Sequence, residues 1–541
     1  MRKHLLLFAL FQLAYILLLA QAGSLDNSFA GNGKKQTAGG GAVAVAVQPI
    51  DQKIVVVGGG GIIRYTTTGA LDNAFGSGGI ATLNFGSAQV FIHALAIQSD
   101  GKIVLAGTYR PQSGADNLFV TRLTTMGVID GSFNNIGFNT MPHYNCAGGG
   151  DDGATAVVIQ PDGGIVVCGQ YYDPTTGVDN KRGPFYLGVV RFTGTGQLDN
   201  TFGTGGQVIT YPGNNKTVPT GIALTSAGKI LIGGYRLRWL LDNPSPDSVL
   251  VFQYTSTGVL DVNNFGTNGT SGIARYSVGN DATCHANAIA LQPDGRILLA
   301  GYYLSGGTEP DFLIMRLNTS GTLDNSFAGN GKLGVGFGHA DYGSGIGIEP
   351  GTGAIVAGGI TEPSGGNQFA VCRVSSTGVL DNNFGTGGKV MVPWTSSAPM
   401  STVANLAIQS NGRIVVTGTA ETAGFTAYTA TIRLLSTGSG LMVLNDSLAV
   451  TGTAGAFSTD SHPGIRLFPN PTAGQLQVTG LPVDAPVMLT VTDMGGNTLL
   501  RQRTGQGNVL LDISRLAPAA YVLSIAGPAT RQSLPFIKAS R

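Results

Sequence analysis

Charge is what this chain has least of. Only 11% of its 541 residues are Asp, Glu, Lys or Arg, against about 25% in an ordinary soluble domain. The formal charge is +1, and no basic run occurs. Binding along a phosphate backbone needs clustered Lys and Arg, so nucleic acid is excluded as a partner. Cysteine is also scarce. Cys146, Cys168, Cys284 and Cys372 are too few and too scattered for a disulfide framework, and no CxxC or Cys/His zinc spacing is present. Cys168 and Cys372 sit in apolar runs, where cysteine serves as a small hydrophobe. Cys146 and Cys284 fall in loops and could pair in an oxidising compartment. Absent as well are a GxSxG elbow, a phosphate loop, an HExxH helix and an EF-hand loop, which removes the chemistries those motifs carry.

One long apolar run exists, at the amino end. "MRKH" is a positive leader, "LLLFALFQLAYILLLA" an apolar stretch, and Ala20-Gln21-Ala22 a small-x-small cleavage site before Gly23. Residues 1–22 therefore read as a signal peptide; the alternative is an uncleaved anchor, since the stretch is nearly long enough to span a bilayer. No cysteine stands near the site, which excludes lipid modification there. Removal of Arg2 and Lys3 leaves a formal charge of −1. Nothing else could cross a bilayer as a helix, so the mature form is expected not to span a membrane.

Glycine is what the chain has in excess. Its 84 copies are about twice the usual ~7%, and many belong to one recurring stretch. "GALDNAFGSGGI" at 69 returns as "GQLDNTFGTGGQ" at 196, "GTLDNSFAGNGK" at 321 and "GVLDNNFGTGGK" at 378. The apolar residue before its acid is Leu25, Leu71, Ile129, Leu198, Leu260, Leu323 and Leu380. A second landmark resembles "QPDGKIVVAG", and a third is a short strand bearing Arg64, Arg122, Arg191, Gln253, Arg316, Arg373 or Arg433. Each landmark occurs seven times at a spacing of about sixty residues, which means a repeat architecture. Each unit resolves into four strands: an alternating "AVAVQ", a Pro-Asp-Gly turn into "KIVVVG", the Arg strand, and a last strand after the Leu-Asp-x-x-Phe-Gly turn. Seven such units fit a propeller; a parallel β-helix is the alternative, with much shorter repeats.

The first strand of each unit keeps small residues at two alternating slots, as in Ala46, Ala96, Ala223 and Ala44, Ala94, Ala156. Crowding where blades converge on an axis explains a small face turned inward, so this strand reads as the innermost. The landmarks are also out of phase. Leu25 precedes any first strand, and only a weak echo follows Arg433. "KKQTA" at 34–38 is therefore expected to supply the fourth strand of the last blade and close the ring.

These signatures resemble the delta-sixty repeat, a bacterial repeat sharing "LDxxFGxxG" and "QPDGKIVVAG". The resemblance covers most of 23–440 and implies a propeller-like fold, with no catalytic motif to transfer. The fold class expected is all-β: a seven-bladed β-propeller of four-stranded blades over 23–440, closed by its N-terminal strand, then a linker over 441–464 and a small C-terminal β-sandwich over 465–541.

That last segment holds the alternating strands "VMLTVTDMGGNTLL", "NVLLDISRL" and "AYVLSIAG" and reads as a sandwich. It resembles the type A sorting domain of the type IX secretion system. Phe468-Pro469-Asn470-Pro471 matches the family's start, Asp493 to Gly496 its turn, and Leu516 to Tyr521 its later step, with Ala520 where the family has glycine. The resemblance implies export across the outer membrane of a Gram-negative bacterium by the type IX machinery. Removal of the domain and release or surface attachment would follow. The alternative is an ordinary Ig-like binding module.

Two sets of residues are candidates for binding. Loops leading into the innermost strands carry His93, His143, Asp151, Asp152, Asp281, His285, His339 and Asp341; in a propeller they gather around one mouth of the ring. Carboxylates and imidazoles there could hold Ca²⁺ or a transition metal, though Asp and His in such loops also cap turns. The enlarged loops at 170–188 and 235–251 bear Tyr171, Tyr172, Tyr186, Tyr235 and Trp239, aromatics that could stack on sugars or grip a protein. The repeated Arg would form an anion-binding ring or, as favoured here, fork onto the neighbouring Leu-Asp turn of its own blade. The function expected is an exported scaffold that binds glycan or protein, as in adhesion. The alternative is an exported carbohydrate-active enzyme, hydrolase or lyase, using the acids of the mouth.

Overall fold

A computed structural model describes residues 21–437, apart from 114–115, 147–152, 173–184, 213–215, 238–246, 269–270, 279–282, 305–308, 365, 395–399, 423 and 425, and most of 466–538. The chain divides into two compact units, Met1–Val443 and Leu444–Arg541.

The first unit is built of seven antiparallel sheets of four strands. In the first blade the order is Ala42–Val47, Ile54–Gly58, Gly61–Tyr65 and Ile80–Ala81. Five blades repeat this simple sequence. The seventh joins Met400–Ile408, Ile414–Glu421 and Ala427–Leu434 to Lys34–Ala38 from the other end of the chain. Lys34 lies opposite Ile432 and Ala38 opposite Tyr428. The innermost strands pack one on the next, and that of the seventh blade packs on that of the first. Each sheet thereby trades its faces to two neighbours and leaves only short outer edges.

The small slots have a different direction from the one the sequence suggests. They turn along the ring toward the next blade, not toward its axis. A Cβ on Gly221 would stand 2.8 Å from Ile289, and one on Gly345 2.8 Å from the Leu406 backbone nitrogen. Ala44 shares a core with Ile92 and Leu95, and Ala94 with Val157. Sheets that converge near an axis must approach closely there. A small residue on one blade is therefore met by Val, Leu or Ile on the next, and the pair fills the space.

The Leu-Asp-x-x-Phe-Gly stretch joins the third strand of each blade to its fourth. Leu71 bridges to Tyr65 and Phe75 is wholly buried. The chain then turns back at Gly79, with φ +94° and a virtual Cβ 2.8 Å from that of Leu71, a conformation only glycine holds without strain. In the fifth copy the extra residue changes the local bonding: Val262 N–H donates to Leu260 O at 2.9 Å.

The second unit has a three-stranded sheet, Arg466–Phe468, Gln475–Thr479 and Asn508–Asp512. Its other sheet has four strands in the order Thr498–Thr504, Val487–Asp493, Ala519–Ala526, Arg531–Lys538. Leu476, Val478 and Leu511 from the first sheet share a core with Leu489, Val491 and Leu523 from the second, which is the arrangement of a β-sandwich.

Candidate functional site

The repeated arginine is committed to the fold. Arg64 Nε donates to Asp72 Oδ2 at 2.7 Å, its Nη1 donates to Thr125 O of the next blade at 2.6 Å, and its guanidinium lies 4.4 Å over the Phe75 ring. Arg122 repeats the pattern on Asp130, Gly194 O and Phe133, and Arg316 on Asp324, Ser376 O and Phe327. Arg433 reaches Asp26, Thr67 O and Phe29, tying the end of the ring to its start. These four arginines are buried, so they form a set of inter-blade clasps and not an anion-binding ring.

A second cation backs the clasp where the "KIVVAG" stretch supplies one. Lys53 and Lys102 stand 3.1 Å from Asp72 and Asp130, and Arg296 and Arg413 lie beside Asp324 and Asp26. The fourth blade has Gln253 in the arginine's place. There Lys229 Nζ holds Asp261 Oδ2 at 2.7 Å and donates to Gln253 Oε1 at 3.4 Å.

The channel through the ring is a cavity of about 310 Å³. In each innermost strand the register slips where it lines this space, as between Ile92/Ala94, Ala154/Ala156, Ala286/Ala288 and Gly343/Gly345. A bulge re-aims the unpaired side chain, and here it presents His93, Thr155, Thr220, Asn287 and Ser344 to the channel wall. Backbone carbonyls take their donors: Thr220 Oγ1 donates to Ala286 O at 2.8 Å and Asn287 Nδ2 to Gly343 O at 2.8 Å. His93 Nε2 lies 3.4 Å from Thr108 Oγ1. His93 thus belongs to the channel wall.

A different group of polar aromatics forms where the innermost strands of the fifth and sixth blades begin. His285 is the second residue of Cys284–Leu291 and is 8% exposed. The Tyr235 ring stacks on it at 3.9 Å and 6°. Tyr302 OH lies 2.6 Å from His285 Nδ1, and Asp247 Oδ2 lies 3.1 Å from Nε2. Tyr342 closes the row, edge-on to Tyr302 at 4.9 Å. The carboxylate accepts from Nε2–H, which leaves Nδ1 to accept the tyrosine hydroxyl. One tautomer satisfies the whole chain Asp247–His285–Tyr302. Burial, with the charge of Asp247 and the neighbouring phenols, pushes the Tyr302 hydroxyl up to about 12. It keeps its proton at neutral pH and serves as a fixed hydrogen-bond donor.

The candidate residues are therefore separated. Tyr235 and His285 come together, with Asp247, Tyr302 and Tyr342, which the sequence did not single out. Only Asp247 lay in a flagged segment, the enlarged 235–251 loop. His285 has both ring nitrogens engaged, by Asp247 and by the Tyr302 hydroxyl. Asp341 is wholly buried, with Oδ2 accepting Phe337 N–H at 2.6 Å, and burial raises its pKa. Tyr171 meets Tyr186, which meets Tyr211 at 4.9 Å, in the third blade, apart from Tyr235. Asp151, Asp152, Asp281 and Trp239 lie outside the described residues, as do the side chains of Tyr172 and His143. Among the described residues no group of three His, Cys, Asp or Glu is placed to hold a metal ion. Cys284 is a free, buried thiol in the fifth blade, while Cys146 ends an outer strand of the second, which corrects their suggested pairing.

In the second unit Phe468 ends the first strand and Asp493 ends Val487–Asp493. Tyr521 is buried in the core, and Leu516 packs against it. Pro469, Asn470, Pro471 and Gly496 lie outside the described residues. Among the described residues no helix is long and apolar enough to cross a membrane.

Comparison with known proteins agrees with this division. Residues 98–133 and 292–327 match the domain of unknown function (DUF5122) beta-propeller, and 466–538 match the secretion system C-terminal sorting domain. No curated protein matches the chain. Among solved structures, a gluconolactonase from Xanthomonas campestris is similar at 10% identity over 74% of this chain and 88% of that one, with a TM-score of 0.32. The α-L-arabinofuranosidase Arb93A of Fusarium graminearum is similar at 11% identity over 64% and 93%, with a TM-score of 0.40. The chain carries β-propeller repeats of the DUF5122 family and, behind them, the sorting domain of type IX secretion, by which it is a secreted or cell-surface protein of a Gram-negative bacterium.

Proposed function

We propose that this exported propeller is a binding protein, and that it takes neutral glycan on the aromatic row Tyr235, His285, Tyr302 and Tyr342. One observation carries the reading. His285 is locked between Asp247 and the Tyr302 hydroxyl and stacked on Tyr235, so the row is rigid before any ligand arrives. A preorganised aromatic surface loses little entropy on binding, and its faces suit the apolar C–H faces of a sugar ring. The three tyrosines are half-buried and leave part of each ring to solvent. Against the enzymatic alternative, a tyrosine that holds its proton to about pH 12 is a poor nucleophile at neutral pH.

The test is calorimetric titration of the purified chain with a panel of neutral and acidic polysaccharides. Binding to a neutral glycan should weaken tenfold or more in Tyr235→Ala and stay within twofold in Tyr186→Ala. Failure of every polysaccharide to bind, or equal losses in the two variants, would overturn the reading. Release of reducing ends from a bound polysaccharide would replace it with the enzymatic one.

A further inference from the structure

The first described residues occupy a place that the repeat defines. In every copy, the residue after the buried Phe of the Leu-Asp-x-x-Phe stretch donates its backbone N–H to the blade ahead. The acceptor is the carbonyl just before the glycine that opens that blade's own Leu-Asp stretch. Ala30 N–H donates to Thr68 O, before Gly69, at 2.7 Å; Gly76 N–H donates to Met126 O, before Gly127, at 2.8 Å; Ala328 N–H donates to Thr377 O, before Gly378, at 2.9 Å. The seventh bond runs from Gly385 N–H to Ala22 O at 2.8 Å. Ala22 therefore fills the repeat position immediately before Gly23.

Six of these turns are continuous chain. The seventh is assembled from both ends: Gly23 N–H donates to Leu435 O at 2.7 Å, and Leu435 N–H donates to Ser24 O at 2.9 Å. Ala22 is 4% exposed and packs in one cluster with Phe384, Val392 and Leu434. Gln21 is exposed, and its Nε2 donates to Gly385 O at 2.6 Å. A cut before Gly23 would remove the seventh acceptor and the Ala22 methyl. It would also place a new ammonium on Gly23, which is buried and where a charge is costly. A cut before Gln21 puts that ammonium in water and keeps the turn whole.

We propose that the signal peptide is removed between Ala20 and Gln21, so that the mature chain begins at Gln21 and not at Gly23. Ala20 supplies the small residue immediately before the cut, and the apolar Leu18 stands at the third position before it. Hydrolysis consumes one water, leaving a carboxylate on Ala20 and an amine on Gln21. The inference stands apart from any ligand.

The test has two readouts. The full-length gene is expressed with export, and the amino-terminal peptide of the exported protein is identified by mass spectrometry. Gln21 as the first residue is expected; Gly23, or any other start, would overturn the proposal. In parallel, two leaderless chains, otherwise full-length, are released from a scarless tag to begin at Gln21 or at Gly23. The Gly23 chain should melt about 2 °C lower or more, and coincident midpoints would overturn the structural argument.

Discussion

The fourth blade offers a natural experiment on the clasp. Elsewhere an arginine holds the Asp, and a second cation often assists. In the fourth blade Lys229 alone neutralises Asp261, which is 7% exposed and otherwise accepts from Asn264 Nδ2 at 2.8 Å. The Lys229 hydrogen bond is the largest cause of the lowered pKa of Asp261. Replacing Lys229 with Met keeps the aliphatic stem and strands that carboxylate. Breaking a fully buried pair costs about 3–5 kcal/mol. The Lys229 side chain is 35% exposed, so solvent screening reduces the expected loss to about 1–2.5 kcal/mol. Lys102→Met removes a similarly placed lysine, but Asp130 keeps Arg122 at 2.8 Å, and the loss should stay below about 1 kcal/mol. Urea denaturation followed by circular dichroism at pH 7 compares the two. Gln253→Arg introduced beside Lys229→Met should recover most of the loss, since it rebuilds the clasp found in the other blades. Equal losses for Lys229→Met and Lys102→Met, or no recovery with Gln253→Arg, would refute the assignment.

Two further outcomes follow from local geometry and burial. Gly78 and Gly79 both have positive φ, at +59° and +94°, but a Cβ on Gly78 meets nothing whereas one on Gly79 stands 2.8 Å from Leu71 Cβ; Gly78→Ala should cost about 1 kcal/mol and Gly79→Ala clearly more, and equal denaturation midpoints would contradict this. Asp341→Asn should stabilise the propeller by about 1–2 kcal/mol at pH 7, because the carboxylate is wholly buried and a neutral amide removes the desolvation cost that raises its pKa. The folded pKa of Asp341 is raised above 3.8, so the charged form destabilises the fold as pH rises through that folded value. The gain from Asp341→Asn should therefore shrink as pH falls toward 4, and a gain that persists unchanged at pH 4 would contradict the cause.

The repeat made the fold legible. Phe75 and its equivalents recur because each fills the same buried site, in most blades under an arginine, and a fixed period turns one such residue into an architecture. The direction of the small slots was not legible, since alternation distinguishes two faces but does not say which neighbour each one meets. The bulges were hidden for a related reason: a one-residue slip leaves composition unchanged while re-aiming Thr155 or Asn287. The aromatic row was only half visible. His285 and Tyr235 stood out as residue types, but Asp247 is 38 positions from His285, and no local pattern links them. Asp341 looked available because acids in loops usually meet water; its burial depends on Phe337 and Thr361, which only the folded blade brings near. Ala22 was ambiguous, because a small residue suits both a protease subsite and a crowded turn.

The split turn at the seventh blade also has a kinetic meaning. Arg64 and Asp72 are eight residues apart, whereas Arg433 and Asp26 are separated by 407. In an otherwise unfolded chain, closing the longer loop costs about 3.5 kcal/mol more in chain entropy. Six clasps can therefore form as soon as their own stretch of chain is present, but the seventh must wait for nearly the whole propeller to exist. Until then Lys34–Ala38 is an unpaired strand, and Met400–Leu434 a sheet with an open outer edge. Such edges invite pairing with other chains, so a nascent or truncated product is stickier than the finished ring, and completion of the ring coincides with loss of that stickiness.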